Sequence, residues 1–365
     1  MGKIAKNIKD NEGQVKKLEQ LENVTKIFGH KNEDPSFYRY LRKNIHFLLL
    51  KNEKIGQECK ELIKIYLPDL EENSKKYKWI FKDALDSFCC HAILLDDYFA
   101  NRCYEKSNYY KSQLISGKLI NYYTKLNGTP FIEELATKSS AYEIYKDFYK
   151  RDFVTIKSKD DKNVFYDFLK KHHKVVLKSD DNYSGHGFKY IDEKADFDVL
   201  LRELNIFNLE ELIIQDEGMA YFDESSLNTL RVQTINANNT CDILFILLSY
   251  GKDGLNADNL NSRGNGLLVD LNNGITYSRN ARSSRDKYSN KQVVGIKIPR
   301  FDELKDIALQ LAKVLNKYKV ISFDLALDKN KGWVLVEASG FGEVTINEPA
   351  LMLNDLERIV EKYDI

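Results

Sequence analysis

The segment Val320–Ser339, VISFDLALDKNKGWVLVEAS, contains two apolar-rich runs that are separated by a polar turn. This pattern predicts an antiparallel hairpin in which Asp328 pairs with Trp333 across a four-residue loop. The same register places Asp324 directly opposite Glu337. Because side chains alternate between the two faces of a strand, one face is expected to be apolar and to carry Ile321, Phe323, Leu325, Leu327, Val334, Val336 and Ala338.

Asp324 and Glu337 share the other face of this hairpin. Like charges directly opposite each other destabilise a sheet, so the two acids are either hydrated or used to bind a cation. Carboxylate oxygens are suitable ligands for Mg²⁺. We therefore expect a magnesium site at Asp324 and Glu337, and solvated acids are the alternative.

Composition limits the class of protein. The 365 residues are 43% hydrophobic, with 22 Tyr and 19 Phe, which is enough for two or three folded units. Acidic and basic residues balance at 55 each, so no overall charge favours a nucleic-acid partner. Neither a signal-peptide core nor an apolar run long enough to span a bilayer is evident, and we expect a cytoplasmic location.

The cysteines and histidines form no recognisable motif. Five cysteines are an odd number, and they include no pair of C-x-x-C elements, so the spacing suggests neither a disulfide framework nor a zinc site. The adjacent His172 and His173 would not converge on one ion. We expect buried or idle thiols and no metal site built from histidines.

Three regions follow from the pattern of the chain. Residues 1–130 are mainly helical until Asn127, Gly128, Thr129 and Pro130 interrupt the pattern. Residues 131–214 alternate helical and strand-like segments, and residues 215–365 contain longer strands and end in a helix. This mixture predicts an α+β fold that follows a helical N-terminal region.

A lysine and a glycine-containing loop suggest a phosphate site in the second region. Lys178 ends a predicted strand and precedes the loop Ser184, Gly185, His186 and Gly187. Glycines let backbone N–H groups approach phosphate oxygens, and an ammonium adds a point charge, although a plain glycine hairpin is the alternative. A further strand is predicted over Glu211–Asp216, and its exit could present backbone groups to an adenine edge.

Arginines mark the third region. Arg231 lies near the start of a predicted strand, where its guanidinium could bind phosphate or carboxylate, and a surface salt bridge is the alternative. Polar loops contain Arg263, Arg282 and Arg285, which could bind acidic groups of a substrate or remain solvated.

The order of these features resembles the ATP-grasp superfamily, and more narrowly the sugar-transfer-associated ATP-grasp family, from about Leu95 to Asn347. The resemblance is carried by Asp97–Phe99, Lys138, the Val176–Gly187 segment, Ser225–Arg231, Asp258–Asn259 with Gly264 and Gly266, Val269–Leu271 with Gly274, Ile298–Pro299, Ile321–Asp324 and Val336–Glu337.

The resemblance implies an ATP site clasped between two α+β subdomains. Lys138 and Lys178 would contact the phosphates, the Ser184–Gly187 loop would cover them, and Arg231 would contact the γ-phosphate or a phosphorylated intermediate. Ile214, Gln215 and Asp216 would lie near adenine, and Asp324 and Glu337 would hold Mg²⁺. Ser339 occupies the position of the family's usual asparagine, where a hydroxyl can bind the metal or orient a metal-bound water.

The same resemblance implies a carboxylate–amine ligase that forms an acyl phosphate from ATP, with a sugar-linked or cell-surface glycan precursor as substrate. Two alternatives remain open. One is a kinase that phosphorylates a sugar or another small molecule through the same metal site. The other is a non-catalytic nucleotide-binding scaffold of a glycan-assembly complex.

Overall fold

The computed structural model describes residues 36–129, 132–180, 188–238, 240–251, 265–278, 291–340 and 350–363. Its backbone contacts divide the chain into two compact units. The larger unit is formed by residues 131–342, and the helical unit by residues 8–130 together with 343–365.

Twelve α-helices lie in the described residues. They are α1 (Ser36–Leu50), α2 (Lys54–Tyr66), α3 (Lys75–His91), α4 (Leu95–Ala100), α5 (Asn108–Gln113), α6 (Leu119–Asn127), α7 (Lys138–Tyr149), α8 (Lys162–His172), α9 (Phe197–Leu204), α10 (Glu217–Ala220), α11 (Phe301–Val314) and α12 (Leu353–Tyr363).

The described strands all belong to the larger unit. They are β1 (Phe153–Ile156), β2 (Lys174–Ser179), β3 (Phe188–Asp192), β4 (Phe207–Glu211), β5 (Thr229–Ala237), β6 (Thr240–Tyr250), β7 (Asn265–Val269), β8 (Thr276–Tyr277), β9 (Val320–Asp328) and β10 (Gly332–Ser339).

The helical unit packs α1 to α6 with α12. Helix α3 begins at Ser74, whose hydroxyl accepts the Tyr77 N–H at 3.1 Å, and it ends where Ala92 takes a left-handed conformation. Helix α12 belongs to this unit although it follows the last strand in the sequence. The reason is packing: Met352, just before α12, pairs with Leu114 in an isolated antiparallel bridge of the helical unit.

Two antiparallel sheets form the larger unit. The four-stranded sheet has the order β1-β4-β2-β3, and the six-stranded sheet has the order β10-β9-β5-β6-β7-β8. The first sheet lies within the predicted region 131–214 and the second within residues 215–365. The fold class is therefore α+β, as the sequence indicated.

A hydrophobic core covers one face of each sheet. Helices α8 and α9 cover the four-stranded sheet through Phe165, Leu169 and Phe197, which pack with Leu177 and Leu209. Helices α7 and α11 cover the six-stranded sheet, and this second core contains Tyr145, Leu304, Leu311, Leu230, Phe323, Leu325 and Trp333. The opposite face of the six-stranded sheet, called its polar face below, carries Arg231 and Asp324 beside the buried Leu247.

The hairpin of β9 and β10 differs from its predicted register. Asp328 pairs with Gly332 rather than Trp333, and Leu325 pairs with Leu335, but Asp324 still pairs with Glu337. Near the turn, the pairing is shifted by one residue from the prediction. A β-bulge between Leu335 and Glu337 adds one residue to β10, and the pairing beyond it agrees with the prediction again. As a result, Trp333 and Leu335 join the apolar core, where the sequence had placed Val334 and Val336.

Gly274 is the turn residue that the core constrains most tightly. Its φ is +73°, and an added Cβ would lie 2.5 Å from Cγ of the buried Phe301. Gly295 has a similar φ of +84°, but nothing lies within 4 Å of the position of its Cβ. A substitution at Gly295 would therefore cause backbone strain alone, whereas one at Gly274 would cause strain and a steric clash.

We expect Gly274→Ala to lower the free energy of unfolding by roughly 2–4 kcal/mol, because strain and clash add. Gly295→Ala is expected to cost about 1 kcal/mol, from strain alone. Urea denaturation of both variants measures the difference. Equal losses of unfolding free energy in the two variants would show that Phe301 moves aside at no energetic cost.

Candidate nucleotide and metal site

Three charged side chains form one row across the polar face of the six-stranded sheet. Arg231 on β5 pairs with Asp324 on β9, and Asp324 pairs in turn with Glu337 on β10. The guanidinium donates from Nε to Asp324 Oδ1 and from Nη2 to Oδ2, each at 2.9 Å. The sequence had not paired Arg231 with Asp324. This ion pair offsets the repulsion between the two facing acids.

The row is suited to a hard divalent cation. A carboxylate offers about four lone-pair directions, and Arg231 uses two of those on Asp324. The remaining oxygens of Asp324 and Glu337 are of the ligand type that Mg²⁺ prefers, and the metal site predicted from the sequence stays a prediction. The Asp324 and Arg231 side chains are 20% and 23% exposed, so the pair is shielded without being sealed. With two acids and one arginine, the row has a net charge of −1.

Ser339 lies one row further along the same face. It pairs with Ser322 on β9, and the Ser322 hydroxyl accepts a hydrogen bond from Gln233 Nε2 at 3.2 Å. Ser339 therefore shares a face with Glu337, and its role towards a metal ion stays a prediction.

A buried ion cluster surrounds the predicted phosphate lysine in the four-stranded sheet. Lys178 Nζ lies 2.9 Å from Glu210 Oε1, and Arg151 Nη2 lies 2.5 Å from Glu210 Oε2. Burial raises the pKa of Glu210, but the charges and hydrogen bonds of Lys178 and Arg151 outweigh it and lower that pKa to about 2. The carboxylate is thus ionised, and the cluster has a net charge of +1.

Arg151 also connects the two sheets. Its Nη1 donates to the backbone oxygens of Tyr149 and Leu335, and Leu335 is the last β10 residue before the bulge that turns Glu337 to the polar face. The side chain that neutralises Glu210 therefore also holds the strand that carries Glu337.

Arg151 places Glu210 and the start of the carboxylate row on connected elements. It pairs with Glu210 and donates to Leu335 O, two positions before Glu337 in β10. The lysine cluster of one sheet and the carboxylate row of the other are therefore linked through one side chain within the larger unit.

Lys138 is the first residue of α7, and its backbone N–H donates to Asp180 O at 3.2 Å. The Asp180 carboxylate accepts from the Ser139 N–H and hydroxyl at 2.8 and 2.9 Å and from Asn208 Nδ2 at 2.9 Å. Asp180 thereby attaches the start of α7 to the end of β2. The two predicted phosphate lysines belong to elements that are held together.

The segment predicted to face adenine is hydrogen-bonded to the β9–β10 hairpin, and its nucleotide contact stays a prediction. The Ile214 N–H donates to Asp328 Oδ2 at 2.9 Å, its carbonyl accepts from Lys329 N at 2.7 Å, and the Asp216 N–H donates to Leu327 O at 2.9 Å. The Gln215 side chain bridges Asp223 O and Asn228 N. Strand β4 ends at Glu211, so these residues lie past the strand and brace the β9–β10 turn.

Seven of the predicted site residues lie outside the described part of the chain. They are Ser184, Gly185, His186 and Gly187 of the glycine-containing loop, and Arg263, Arg282 and Arg285 of the polar loops.

Sequence reasoning missed Glu210, Arg151 and Asp180. Glu210 had a detectable signal, since Phe207, Asn208, Leu209 and Glu210 alternate apolar and polar residues as a half-polar strand does. Arg151 had none, because it lies in a charged run, Lys150-Arg151-Asp152, that resembles ordinary surface.

These features define the class of protein. Two antiparallel sheets, one with a strand-borne lysine and one with two facing carboxylates, form an ATP-grasp fold that follows a helical region. Residues 200–352 match the family described as Sugar-transfer associated ATP-grasp, which confirms the resemblance found in the sequence. The match contains Glu210, Arg231, Asp324 and Glu337. No curated protein sequence matches the chain significantly.

Several solved structures are similar to this chain at low identity. D-alanyl-alanine synthetase A from Vibrio cholerae is 12% identical, with a TM-score of 0.40 and coverage of 67% of this chain and 69% of that one. D-alanine–D-alanine ligase from Bacillus anthracis is 12% identical, with a TM-score of 0.39 and coverage of 63% of this chain and 62% of that one. N5-carboxyaminoimidazole synthetase from Staphylococcus aureus is 11% identical, with a TM-score of 0.39 and coverage of 64% of this chain and 61% of that one. The chain thus spans about three fifths to two thirds of their lengths.

The depressed pKa of Glu210 predicts a contribution to acid unfolding. Because the unfolded carboxyl binds its proton at higher pH than the native one, stability is complete above about pH 4.5 and is lost as pH falls toward 2. We expect this group to account for about 2 kcal/mol of the stability lost between pH 6 and pH 3.

Urea denaturation across that range tests the prediction. Glu210→Gln should be less stable at pH 6, where it leaves the buried Arg151 and the half-buried Lys178 without their counter-ion, and should have a flatter pH profile. Glu224→Gln, at an exposed position of the same unit, should retain the wild-type profile. Parallel profiles for wild type and Glu210→Gln would contradict the assigned pKa.

Arg151→Met should lower the free energy of unfolding much more than Lys150→Met. We expect a loss of roughly 3–5 kcal/mol and faster amide exchange along β10, because a buried charge loses its partner and Leu335 O its donor. Lys150→Met is the matched control, since Lys150 Nζ donates to Trp333 O at 3.1 Å from a more exposed position. That variant should lose less than about 1 kcal/mol. Equal rates of amide exchange along β10 in both variants would show that Arg151 does not support this strand.

Proposed function

We propose that the protein is an ATP- and Mg²⁺-dependent carboxylate–amine ligase. One observation carries the proposal: a cluster of net charge +1 around Lys178 and a row of net charge −1 around Asp324 lie in one unit, and Arg151 links the sheets that carry them. The positive cluster fits nucleotide phosphates, and the negative row fits the metal ion that accompanies them.

Each side chain has a defined task in this proposal. Lys178 presents an ammonium with three donors, and Glu210 orients it while leaving donors for phosphate oxygens. Lys138, at the start of α7, supplies a second cation. Asp324 and Glu337 would hold Mg²⁺, and Ser339 would bind the ion or one of its waters. Arg231, fixed by Asp324, is aimed at the phosphoryl group that is transferred.

The adenine ring is assigned to the residues that directly follow β4. Within the described chain, no hydrogen bond engages the backbone N–H or C=O of Leu212 and Ile213, whereas Ile214 and Asp216 are both engaged. Leu212 and Ile213 are half-buried, so their backbone groups suit the edge of a ring that is partly withdrawn from water. This moves the adenine contact two residues towards β4.

The chemistry follows from what a carboxylate lacks. Its oxide is a poor leaving group, so an amine cannot displace it directly. Phosphorylation by ATP converts the carboxylate to an acyl phosphate, from which the amine displaces phosphate to leave an amide. Mg²⁺ would supply charge neutralisation on the phosphates. Lys178 and Arg231 stabilise the remaining negative charge as it develops, and the sheets hold the reactants in place.

The substrate class rests on the family description. A family associated with sugar transfer favours a sugar-linked or cell-surface glycan precursor as one of the two substrates. Arg263, Arg282 and Arg285 remain candidates for its acidic groups. We propose that the enzyme works in the cytoplasm, where ATP is available. In the described residues, no helix has both the length and the apolar character needed to cross a bilayer.

A hydroxylamine trap tests the chemistry. Purified protein is incubated with Mg·ATP, hydroxylamine and a panel of sugar acids and amino acids, and hydroxamate and ADP are measured together. A ligase yields hydroxamate in step with ADP, because hydroxylamine intercepts the acyl phosphate. ADP with a phosphorylated hydroxyl and no hydroxamate would instead identify a kinase. Tight ATP binding without ADP would identify the scaffold.

We expect Asp324→Asn to reduce hydroxamate formation at least ~100-fold, because it removes a metal ligand and half of the Arg231 pair. The variant should unfold cooperatively near the wild-type urea midpoint, since the row is near the surface. Asp302→Asn, at a side chain that is 94% exposed in α11, is the matched control and should keep full activity. Wild-type turnover by Asp324→Asn would show that Asp324 is not a metal ligand.

A further inference from the structure

Three potential metal ligands meet in the core of the helical unit. His46 Nδ1 on α1 lies 3.0 Å from Asp86 Oδ1, and Cys90 Sγ lies 3.5 Å from Asp86 Oδ1 and 3.9 Å from His46 Nδ1. Asp86 and Cys90 both belong to α3. The three residues are 1%, 8% and 5% exposed, respectively. The proposed ligase chemistry uses none of them.

The helices bring these residues together for simple reasons. Asp86 and Cys90 are four positions apart, so they project from the same face of α3. Helix α1 is fixed beside that face one turn earlier, where Lys43 Nζ lies 2.6 Å from Asp83 Oδ1. Metal sites in helical bundles are built in this way, from inward-facing side chains on neighbouring helices.

The spacing of the ligand atoms matches a tetrahedral zinc site. Zinc binds nitrogen and carboxylate oxygen at about 2.0–2.2 Å and thiolate at about 2.3 Å, which places tetrahedral ligands about 3.3–3.6 Å apart. The observed separations of 3.0, 3.5 and 3.9 Å bracket that range. Movements of a few tenths of an ångström would complete the triangle.

Charge and ligand type favour the same ion. A thiolate and a carboxylate together carry two negative charges, which a divalent cation would balance. Sulfur and imidazole ligands select zinc over Mg²⁺, which prefers oxygen. We propose that His46, Asp86 and Cys90 bind one zinc ion in the helical unit.

Metal binding at this site releases a proton. The Cys90 thiol must lose its proton, and the proton of neutral His46 must reside on Nε2 so that Nδ1 can bind the metal. One proton is therefore released for each ion bound. The fourth position of the tetrahedron would be filled by water.

A second group of similar composition differs in its surroundings. Asp152, His172 and Glu211 also lie within reach of one ion in the larger unit. However, Lys171 is paired with Asp152, and Lys331 Nζ lies 2.6 Å from Glu211 Oε1, so ammonium groups already occupy the place of the cation. Among the described residues, the His46, Asp86 and Cys90 group is the better candidate.

Cobalt substitution tests the proposal in the full-length protein. The protein is stripped with a chelator and titrated with Co²⁺, and the thiolate-to-cobalt charge-transfer absorption is followed. We expect one equivalent to produce this band and Zn²⁺ to abolish it by displacement. A magnesium site made of Asp324 and Glu337 has no thiolate, so it cannot produce the band. This readout is independent of ligase activity.

Cys90→Ser should abolish the charge-transfer band, and His46→Gln should weaken metal affinity at least tenfold. The matched control is Cys89→Ser, which removes a buried thiol from the adjacent position of α3 and should retain wild-type binding. His46→Gln and the wild-type titration keep the test decisive if Cys90→Ser does not fold. Absence of the band in wild type, or its equal loss in Cys89→Ser, would overturn the proposal.

Discussion

One buried guanidinium supports the geometry of the larger unit. Arg151 neutralises Glu210 in the four-stranded sheet and donates to Leu335 O in the six-stranded sheet. A buried cation with an incomplete set of acceptors would be costly, so both partners must stay in place. The orientation of Lys178, through Glu210, and the path of β10, which carries Glu337, therefore depend on the same side chain.

The β-bulge shows how a local irregularity can serve a site. In an unbroken β10 with Trp333 and Leu335 in the core, Glu337 would also face the core, because side chains alternate. The extra residue at Val336 lets the strand bury both apolar side chains and still turn Glu337 towards Asp324. One strand can then contribute apolar side chains to the core and Glu337 to the charged row.

Much of this arrangement was readable from the sequence, and the remainder depended on contacts between distant residues. Alternation and turn residues predicted the hairpin and the pairing of Asp324 with Glu337, but the bulge, which leaves no compositional mark, shifted the register near the turn. The strand with Lys178 was found, whereas β4 was placed four residues late because the apolar run Leu212-Ile213-Ile214 outweighed the alternation over Phe207–Glu210. The partners of Arg151 lie 59 and 184 positions away, and no local pattern reveals them.

The basic side chains beside β10 have one more effect. Among the described strands, β10 is the edge of the six-stranded sheet, and an edge presents unpaired backbone acceptors on which a strand of another molecule can assemble. Lys150 and Arg151 donate to the outward carbonyls of Trp333 and Leu335 and bring positive charge to that border. An incoming strand would have to displace both cations, so the residues that support the site also protect the protein from aggregation.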